Sequence, residues 1–233
     1  MLDVTLLRGG YGALPVLNGI TFSAGKGEVV GLLGRNGAGK TTTLRMIAGA
    51  LRATDGSVRL GGEDITRLSA FRRARAGIAH VPQGRGIFNR LTVHENLDVG
   101  TRAKKHRGAA GIPQDVYDYF PILKERSAQV AGTLSGGQQQ MLAIGRALCG
   151  DPKVLLLDEP SEGIQPNIVQ AIAELVPRIA RDRGIAVILV EQNLDLALKA
   201  SDRCLVVEKG RVVHAATPAE LADEALLKDL LAI

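Results

Sequence analysis

A glycine-rich stretch near the start of the chain has the residue types and the spacing of a phosphate-binding loop, or P-loop. Gly34 and Gly39 are followed by Lys40 and Thr41, in the order G-x-x-x-x-G-K-[ST]. Glycines let the backbone wrap closely around a triphosphate and turn successive N–H groups inward, where a helix N-terminus adds partial positive charge. Lys40 is then expected to contact the β- and γ-phosphates, and the Thr41 hydroxyl to ligate Mg²⁺. A plain glycine-rich turn does not explain why lysine, hydroxyl and spacing coincide.

Two adjacent acids after a second apolar strand extend this chemistry. Residues 154–157 read Val-Leu-Leu-Leu, and Asp158 and Glu159 follow them directly. Ligands of α/β sheets bind outside the carboxyl ends of the strands, so both carboxylates are expected at that edge. One carboxylate there can hold Mg²⁺ through water, as a Walker B aspartate does, and the next can orient and polarise an attacking water. A helix cap at the strand end is the simpler alternative, and the P-loop in the same chain disfavours it.

A serine and two glycines at the start of a predicted helix form a third candidate site. Residues 134–138 read Leu-Ser-Gly-Gly-Gln, here called the signature segment. Free N–H groups at the helix N-terminus and the Ser135 hydroxyl make a second anion cradle. Because the P-loop already gives this chain a nucleotide site, the second cradle indicates that its target is the nucleotide of another subunit.

Composition places the chain among ordinary globular proteins. It has 233 residues, of which 45% are hydrophobic and 23% charged, enough for one sizeable core. Its apolar stretches are only strand-length, so neither a cleaved signal nor a membrane span is expected. Cys149 and Cys204 lie far apart, which indicates reduced thiols in a cytoplasmic compartment. The four histidines form no metal-ligand cluster along the sequence, so no catalytic role is assigned to them.

The net charge of +5 permits a nucleic acid or an anionic membrane surface as partner. The dense basic run covers residues 102–107, and it lacks the interleaved aromatic residues on which a single-strand binder stacks bases. We therefore expect a solvated segment there, with contact to a membrane surface or a partner as the alternative.

Strands and helices must position these sites, and their order predicts an α/β fold. Two short strands form an antiparallel lead-in, with Tyr11 in the loop between them, and the P-loop follows the next strand. Helical patterns between residues 92 and 126 predict a helical insert. From residue 153 apolar strands alternate with helices, which predicts a mostly parallel sheet covered on both faces. The predicted strands are 4–8, 17–23, 28–33, 57–60, 77–81, 154–157, 185–190, 203–207 and 212–214. The predicted helices are 39–49, 69–75, one from Thr92, one from Pro113, 139–148, 167–181, 194–200 and 219–231.

These motifs, in this order, resemble those of the ATP-binding cassette family, and the resemblance covers essentially the whole chain. It rests on residues 34–42, Gln83, the signature segment and residues 155–160. It implies a P-loop NTPase core in a single cassette domain, residues 1–233, with a helical subdomain inserted at about 88–150. It also implies a head-to-tail dimer in which two ATP molecules are each sandwiched between the P-loop of one subunit and the signature segment of the other.

The same resemblance implies a role for each matching residue. Tyr11 would stack on adenine, Asp158 would hold Mg²⁺ together with Thr41, and Glu159 would be the general base. Gln83 would sense Mg²⁺ or water and relay the state of the site to a membrane partner. The remaining ATP contacts, with Lys40 also neutralising the γ-phosphate, would come from Gly34, Arg35, Asn36, Gly37, Ala38, Gly39, Lys40, Thr41 and Thr42 of one subunit and Ser135, Gly136, Gly137 and Gln138 of the other.

A narrower resemblance is to the ATPase subunits of bacterial importers for branched-chain amino acids, and of the closely similar urea and amide importers. It rests on residues 28–37, 81–85, 138–145, 161–166 and 189–193. The function it implies is ATP hydrolysis that powers uptake of branched-chain, hydrophobic amino acids. Import of urea or short amides is the alternative.

The partners implied are a second cassette ATPase subunit, two membrane permease subunits and a periplasmic solute-binding protein that acts through the permeases. The implied location is peripheral, at the cytoplasmic face of the inner membrane. Service to an exporter is a further alternative, because direction depends on the membrane subunits. A cassette ATPase acting on nucleic acid or ribosomes is another; one P-loop, one signature segment and no heptads disfavour it, so no nucleic-acid partner is expected.

Two positions depart from the general cassette pattern. In the family a histidine after the last core strand contacts the γ-phosphate, and here that position is Gln192. A glutamine can donate a hydrogen bond but carries no positive charge. Gln165 likewise stands where the loop after Glu159 usually ends in aspartate. Both departures recur in the narrower group, so we interpret them as a subfamily trait and keep Gln192 among the catalytic residues.

Overall fold

The computed structural model describes residues 1–103 and 111–222 and has the predicted α/β architecture. The strands are β1 Leu2–Tyr11, β2 Leu14–Ala24, β3 Val29–Leu33, β4 Asp55–Leu60, β5 Glu63–Asp64, β6 Ile78–Val81, β7 Val154–Asp158, β8 Ala186–Val190, β9 Arg203–Glu208 and β10 Arg211–Ala216. The helices are α1 Lys40–Ala48, α2 Ala70–Ala76, α3 Val93–Thr101, α4 Gln114–Tyr119, α5 Pro121–Glu125, α6 Gly136–Cys149, α7 Pro166–Arg183 and α8 Leu194–Ala200, with 3₁₀ turns at Ala131–Thr133 and Glu220–Ala222.

A six-stranded sheet forms the centre of the molecule, in the order β10-β9-β3-β8-β7-β6. Neighbours from β9 to β6 pair in parallel, and β10 pairs with β9 in antiparallel orientation. Every residue of β3, β7 and β8 is buried, as expected for strands covered on both faces. Because Leu32 and Asp158 both pair with Val190, the carboxyl ends of these three strands lie level at one edge.

The antiparallel lead-in is a second sheet, in the order β2-β1-β4-β5. Its apolar side shares one core cluster with α1 and one face of the central sheet. The fold therefore confirms the predicted mostly parallel sheet with an antiparallel lead-in.

Between β6 and β7 the chain contains helices and a 3₁₀ turn in the part that the structure describes. Leu97, Phe120 and Leu142 of this segment share a core cluster with Leu155 and Val187, on the other face of the central sheet. Reciprocal capping boxes begin α3 at Thr92 and α6 at Ser135, which explains why both helices start there.

Several predicted boundaries were wrong. Tyr11 ends β1 instead of lying in a loop, because β1 and β2 stay paired up to Tyr11 and Leu14. β4 begins at Asp55, two residues before the predicted strand 57–60. The helix predicted from Pro113 is two helices, since Phe120 leaves the helical region and Pro121 starts a new first turn. The predicted helix 219–231 and the basic run 102–107 lie mostly outside the described residues.

None of the helices within the described ranges combines the length and the apolar character that a membrane crossing requires.

Candidate active site

The P-loop connects β3 to α1 at the edge where the parallel strands end. Gly34 has φ 143°, and a Cβ there would collide with the carbonyl oxygen of Val207 on β9, so only glycine fits. Gly39 precedes α1 with φ 108°. Over the described part of the chain no side chain caps the N-terminus of α1, which leaves its first N–H groups for a ligand. Arg35, Asn36 and Gly37 are exposed, whereas Ala38, Gly39, Lys40 and Thr42 are buried.

The Lys40 side chain folds back into the loop. Its Nζ donates to the carbonyl oxygens of Gly34 at 2.6 Å and Arg35 at 3.1 Å, and only 5% of the residue is exposed. Burial lowers the pKa of the Lys40 ammonium, and the charges of Glu159 and Asp158 oppose that shift. The positive charge thus lies inside the loop and close to both acids.

Thr41 and Asp158 meet directly, one from the P-loop and one from β7. The Thr41 hydroxyl donates to Asp158 Oδ1 at 2.9 Å, and Asp158 is almost fully buried. Burial raises the pKa of Asp158, Glu159 adds to the shift, and the Thr41 hydrogen bond opposes it. Adjacent hydroxyl and carboxylate oxygens are ligands that suit Mg²⁺. Residues 1–103 and 111–222 contain no group of three or more His, Cys, Asp or Glu that could hold a metal, so a cation here would also need substrate or water oxygens.

Glu159 lies in a strained position at the end of β7, between two amide side chains. Its φ of 48° is in the left-handed region, and its N–H donates to the Val190 carbonyl at 2.9 Å. Gln192 Nε2 donates to Glu159 Oε1 at 2.6 Å, and Gln83 Nε2 approaches Oε2 at 3.4 Å. The structure therefore brings together Glu159, Gln83 and Gln192.

Glu191 is a site residue that the sequence reasoning missed. It follows β8 and is 2% exposed. Its Oε1 accepts from the Ser161 N–H at 2.8 Å, and its Oε2 accepts from the Ser161 hydroxyl at 2.9 Å and from the N–H groups of Gln192 at 3.0 Å and Asn193 at 3.1 Å. Burial raises the pKa of Glu191 against these four hydrogen bonds. An acid directly after an apolar strand, as at Asp158, was the signal that could have revealed it.

The signature segment lies against the part of the chain that follows Glu159. Ser135 is the N-cap of α6, where its hydroxyl accepts from the Gln138 N–H at 3.4 Å and Gln138 Oε1 accepts from the Ser135 N–H at 3.0 Å. Gly136 approaches the Gly163 carbonyl, and Gly137 packs on Ile168 of α7. These contacts fix the segment against the chain that follows Glu159.

Tyr11 lies beside α1, one helical turn beyond the P-loop. Its ring is partly exposed, and its hydroxyl accepts from Arg45 Nη1 at 3.0 Å. The tyrosine is therefore held next to α1 through Arg45, whose charge also acts on Asp158.

Comparison with known proteins shows which family the sequence and the fold resemble. Residues 17–162 match the model of the ABC transporter family. The chain is 46% identical over 219 residues to the high-affinity branched-chain amino acid transport ATP-binding protein BraG of Pseudomonas aeruginosa, covering 94% of each chain. It is 33% identical over 231 residues to the lipopolysaccharide export system ATP-binding protein LptB of Haemophilus influenzae, covering 98% of this chain and 95% of that one. A nucleotide-free ATP-binding cassette from an ABC transporter superimposes with a TM-score of 0.84 at 26% identity, covering 98% and 97% of the two chains.

Proposed function

Because the chain belongs to the ABC transporter family and is one of its ATPases, we propose that it powers a bacterial importer of branched-chain, hydrophobic amino acids. The 46% identity to the BraG protein, over 94% of both chains, supports this substrate class. Identity to the export-system protein LptB is lower, at 33%, and supports an exporter less well.

The observation that carries the catalytic proposal is the convergence of Lys40, Asp158 and Glu159 at one sheet edge. Lys40 and the P-loop amides bind the β- and γ-phosphates, in place of the carbonyl partners that Lys40 has here. Glu159 accepts the proton of a water that attacks the γ-phosphorus in line, while the bond from that phosphorus to the β,γ-bridging oxygen breaks and ADP leaves. Gln192 and Gln83 orient the Glu159 carboxylate through neutral amide donors, without pairing it with a full positive charge.

Thr41, Asp158 and Gln83 are the residues that would hold Mg²⁺. The bound cation would supply charge that neutralises the phosphate oxygens. The rest of the ATP site in this proposal consists of Tyr11 at the adenine and the P-loop contacts of Gly34, Arg35, Asn36, Gly37, Ala38, Gly39, Lys40, Thr41 and Thr42.

A second cassette subunit completes each site in this proposal. Ser135, Gly136, Gly137 and Gln138 contact the nucleotide held by the partner's P-loop. Within their own chain Gly136 and Gly137 lie against Gly163 and Ile168 instead of the P-loop. Each chain acts as one cassette, residues 1–233, with a helical subdomain at about 88–150. Two permease subunits at the cytoplasmic face of the inner membrane convert closing and opening of the dimer into transport, and a periplasmic solute-binding protein delivers the substrate to them. No nucleic acid is involved.

Reconstitution with its permeases in vesicles tests this proposal. We expect ATP-dependent uptake of labelled leucine, isoleucine or valine in the presence of the binding protein. Uptake of urea or acetamide instead would show that the chain serves an importer of urea or short amides. ATP-driven transport of the amino acid in the outward direction would contradict import. In mixed dimers, Ser135→Arg in one subunit should damage hydrolysis at the P-loop of the other subunit.

A further inference from the structure

We propose that Arg85 is a positioning residue that links the loop after Glu159 to the signature segment of the same chain. The link joins a residue of the chain's own ATP site to the element that completes the site of its partner. This inference rests on the proposed two-subunit function.

The Arg85 side chain bridges two segments distant in sequence from it and from each other. Its Nη1 donates to Gln139 Oε1 on the first turn of α6 at 3.1 Å. Its Nη2 donates to the carbonyl oxygens of Glu162 at 3.2 Å and Gly163 at 3.4 Å. Glu162 follows Glu159 by three residues, and the Glu162 N–H donates to the Glu159 carbonyl at 3.2 Å.

Gln139 extends this connection into the signature segment. Its Nε2 donates to the Leu134 carbonyl at 3.2 Å, and its N–H donates to the Ser135 carbonyl at 2.9 Å. A shift of residues 162–163 therefore moves Arg85, and Arg85 in turn moves Gln139. Gln139 passes the movement to the carbonyl groups of Leu134 and Ser135, which it contacts.

Gly136 shows how closely the three segments approach one another. A Cβ at Gly136 would lie 3.0 Å from Arg85 Nη2 and 3.0 Å from the Gly163 carbonyl oxygen. The Arg85 backbone itself has φ 72°, a left-handed conformation that is uncommon for a residue with a side chain. The fold thus maintains local strain at the position from which the guanidinium reaches its acceptors.

Arginine suits this position better than lysine. Its planar guanidinium presents several N–H donors in fixed directions, so one side chain can serve Gln139 and two carbonyl oxygens together. A lysine ammonium is one point on a flexible stem. Arg85 also follows Gln83 by two residues and its N–H donates to the Pro82 carbonyl at 3.0 Å, so movement of the Gln83 loop reaches the same link.

Mixed dimers within the assembled transporter separate the two ends of the link. In the first arrangement one subunit carries Arg85→Ala and its partner carries Glu159→Gln, so the hydrolysing site uses the P-loop and Glu159 of the Arg85 variant. In the second, one subunit carries both substitutions, so the hydrolysing site uses the variant's signature segment and the partner's P-loop. The rate of the first phosphate release is measured in each against dimers with Glu159→Gln alone.

We expect phosphate release to slow about tenfold in both arrangements, as for lost hydrogen bonds to a charged group, with the KM for ATP changed less than about twofold. Arg85→Lys should not restore the rate. A normal rate in the second arrangement would overturn the link to the signature segment, and normal rates in both would overturn the positioning role altogether. Normal hydrolysis in dimers that carry Ser135→Arg in both subunits would instead count against the proposed two-subunit function.

Hydrogen exchange in the single subunit tests the link without a dimer. Arg85→Ala should speed amide exchange in both residues 134–139 and residues 162–168, and Gln139→Ala should do the same if the first variant folds poorly. Arg59→Ala, which removes an exposed arginine from β4, is the matched control and should leave both segments unchanged. Faster exchange in one segment only would contradict the proposal.

Discussion

Gln192 donates a hydrogen bond to Glu159, with 2.6 Å between Nε2 and Oε1. The general cassette pattern places a histidine where this chain has Gln192. The amide of Gln192 stays a neutral hydrogen-bond donor, whereas an imidazole changes charge near its usual pKa of about 6.5. The orientation of the proposed base therefore depends on a donor that does not titrate.

Removing this contact should slow hydrolysis while leaving ATP binding intact. We expect Gln192→Ala to lower kcat about tenfold, the typical effect of losing a hydrogen bond to a charged group. Gln192→His should keep part of the activity and add a new step to the pH profile of kcat near the imidazole pKa. An unchanged kcat in Gln192→Ala would show that this contact does not orient Glu159.

Glu191 should be required for turnover although it lies too deep to touch ATP. In Glu191→Gln an NH₂ group replaces either Oε1, which accepts one hydrogen bond, or Oε2, which accepts three. At least one of the four hydrogen bonds is therefore lost, and the NH₂ group faces another donor. We expect kcat to fall more than in Ser161→Ala, which removes only one donor. Steady-state ATPase assays on both variants provide the test. Equal losses of kcat would argue against Glu191 as the common acceptor of these four hydrogen bonds.

The nucleotide-free protein should gain stability when Asp158 loses its charge. The pKa of Asp158 is higher in the folded protein than in the unfolded chain. Protonated Asp158 therefore stabilises the fold below the unfolded pKa, and this stabilisation is lost as pH rises through the folded pKa. At neutral pH the buried carboxylate is thus destabilising. Asp158→Asn should raise the unfolding temperature by about 2–4 °C at pH 7.5 and leave it unchanged near pH 4. Thermal unfolding at the two pH values gives the answer, and a lower unfolding temperature at pH 7.5 would refute it.

His80 should contribute to acid destabilisation. Burial, with the positive charge of Arg45, lowers the pKa of His80 from 6.5 to about 4, and its Nε2 is buried without a hydrogen-bond partner. Because the folded pKa is lowered, the stability that depends on the neutral ring is present above the unfolded pKa and is lost as pH falls from 6.5 towards 4. His80→Phe should therefore flatten the fall in urea midpoint over that range. His94→Phe, at an exposed position of α3, is the control that should not.

Local patterns in the sequence were sufficient to predict much of this fold. The apolar strands, the P-loop turn and the capping residues Thr92 and Ser135 are encoded within a few residues, and the bounds of α8 were predicted as observed. The length of β1 was not, because its last residues pair with β2 through a register with irregularities that no single strand reveals. The residue at which a strand such as β1 ends therefore depends on its pairing with the neighbouring strand.

The contacts around the site were harder to predict because they join residues that are far apart in sequence. Glu191 meets Ser161 across 30 positions, and Arg85 meets Gly163 across 78. Each residue alone reads as an ordinary charged side chain, and only the folded chain shows that its partners include backbone groups of the loop after Glu159. Sequence reasoning therefore reached the residues proposed to touch ATP or Glu159 and missed Glu191 and Arg85, which hold the neighbouring loop in place.

The most direct test of the claim that Glu159 is the general base is a rapid-quench measurement of phosphate release by the Glu159→Gln variant. The amide keeps the size of the side chain but cannot accept a proton from water, so the assembled variant should bind ATP with near-normal affinity and release phosphate slower by about a hundredfold or more. Arg59→Ala, at the exposed arginine of β4, is the control that should release phosphate at the normal rate. Phosphate release by Glu159→Gln at close to the normal rate would contradict the role of Glu159 as the base.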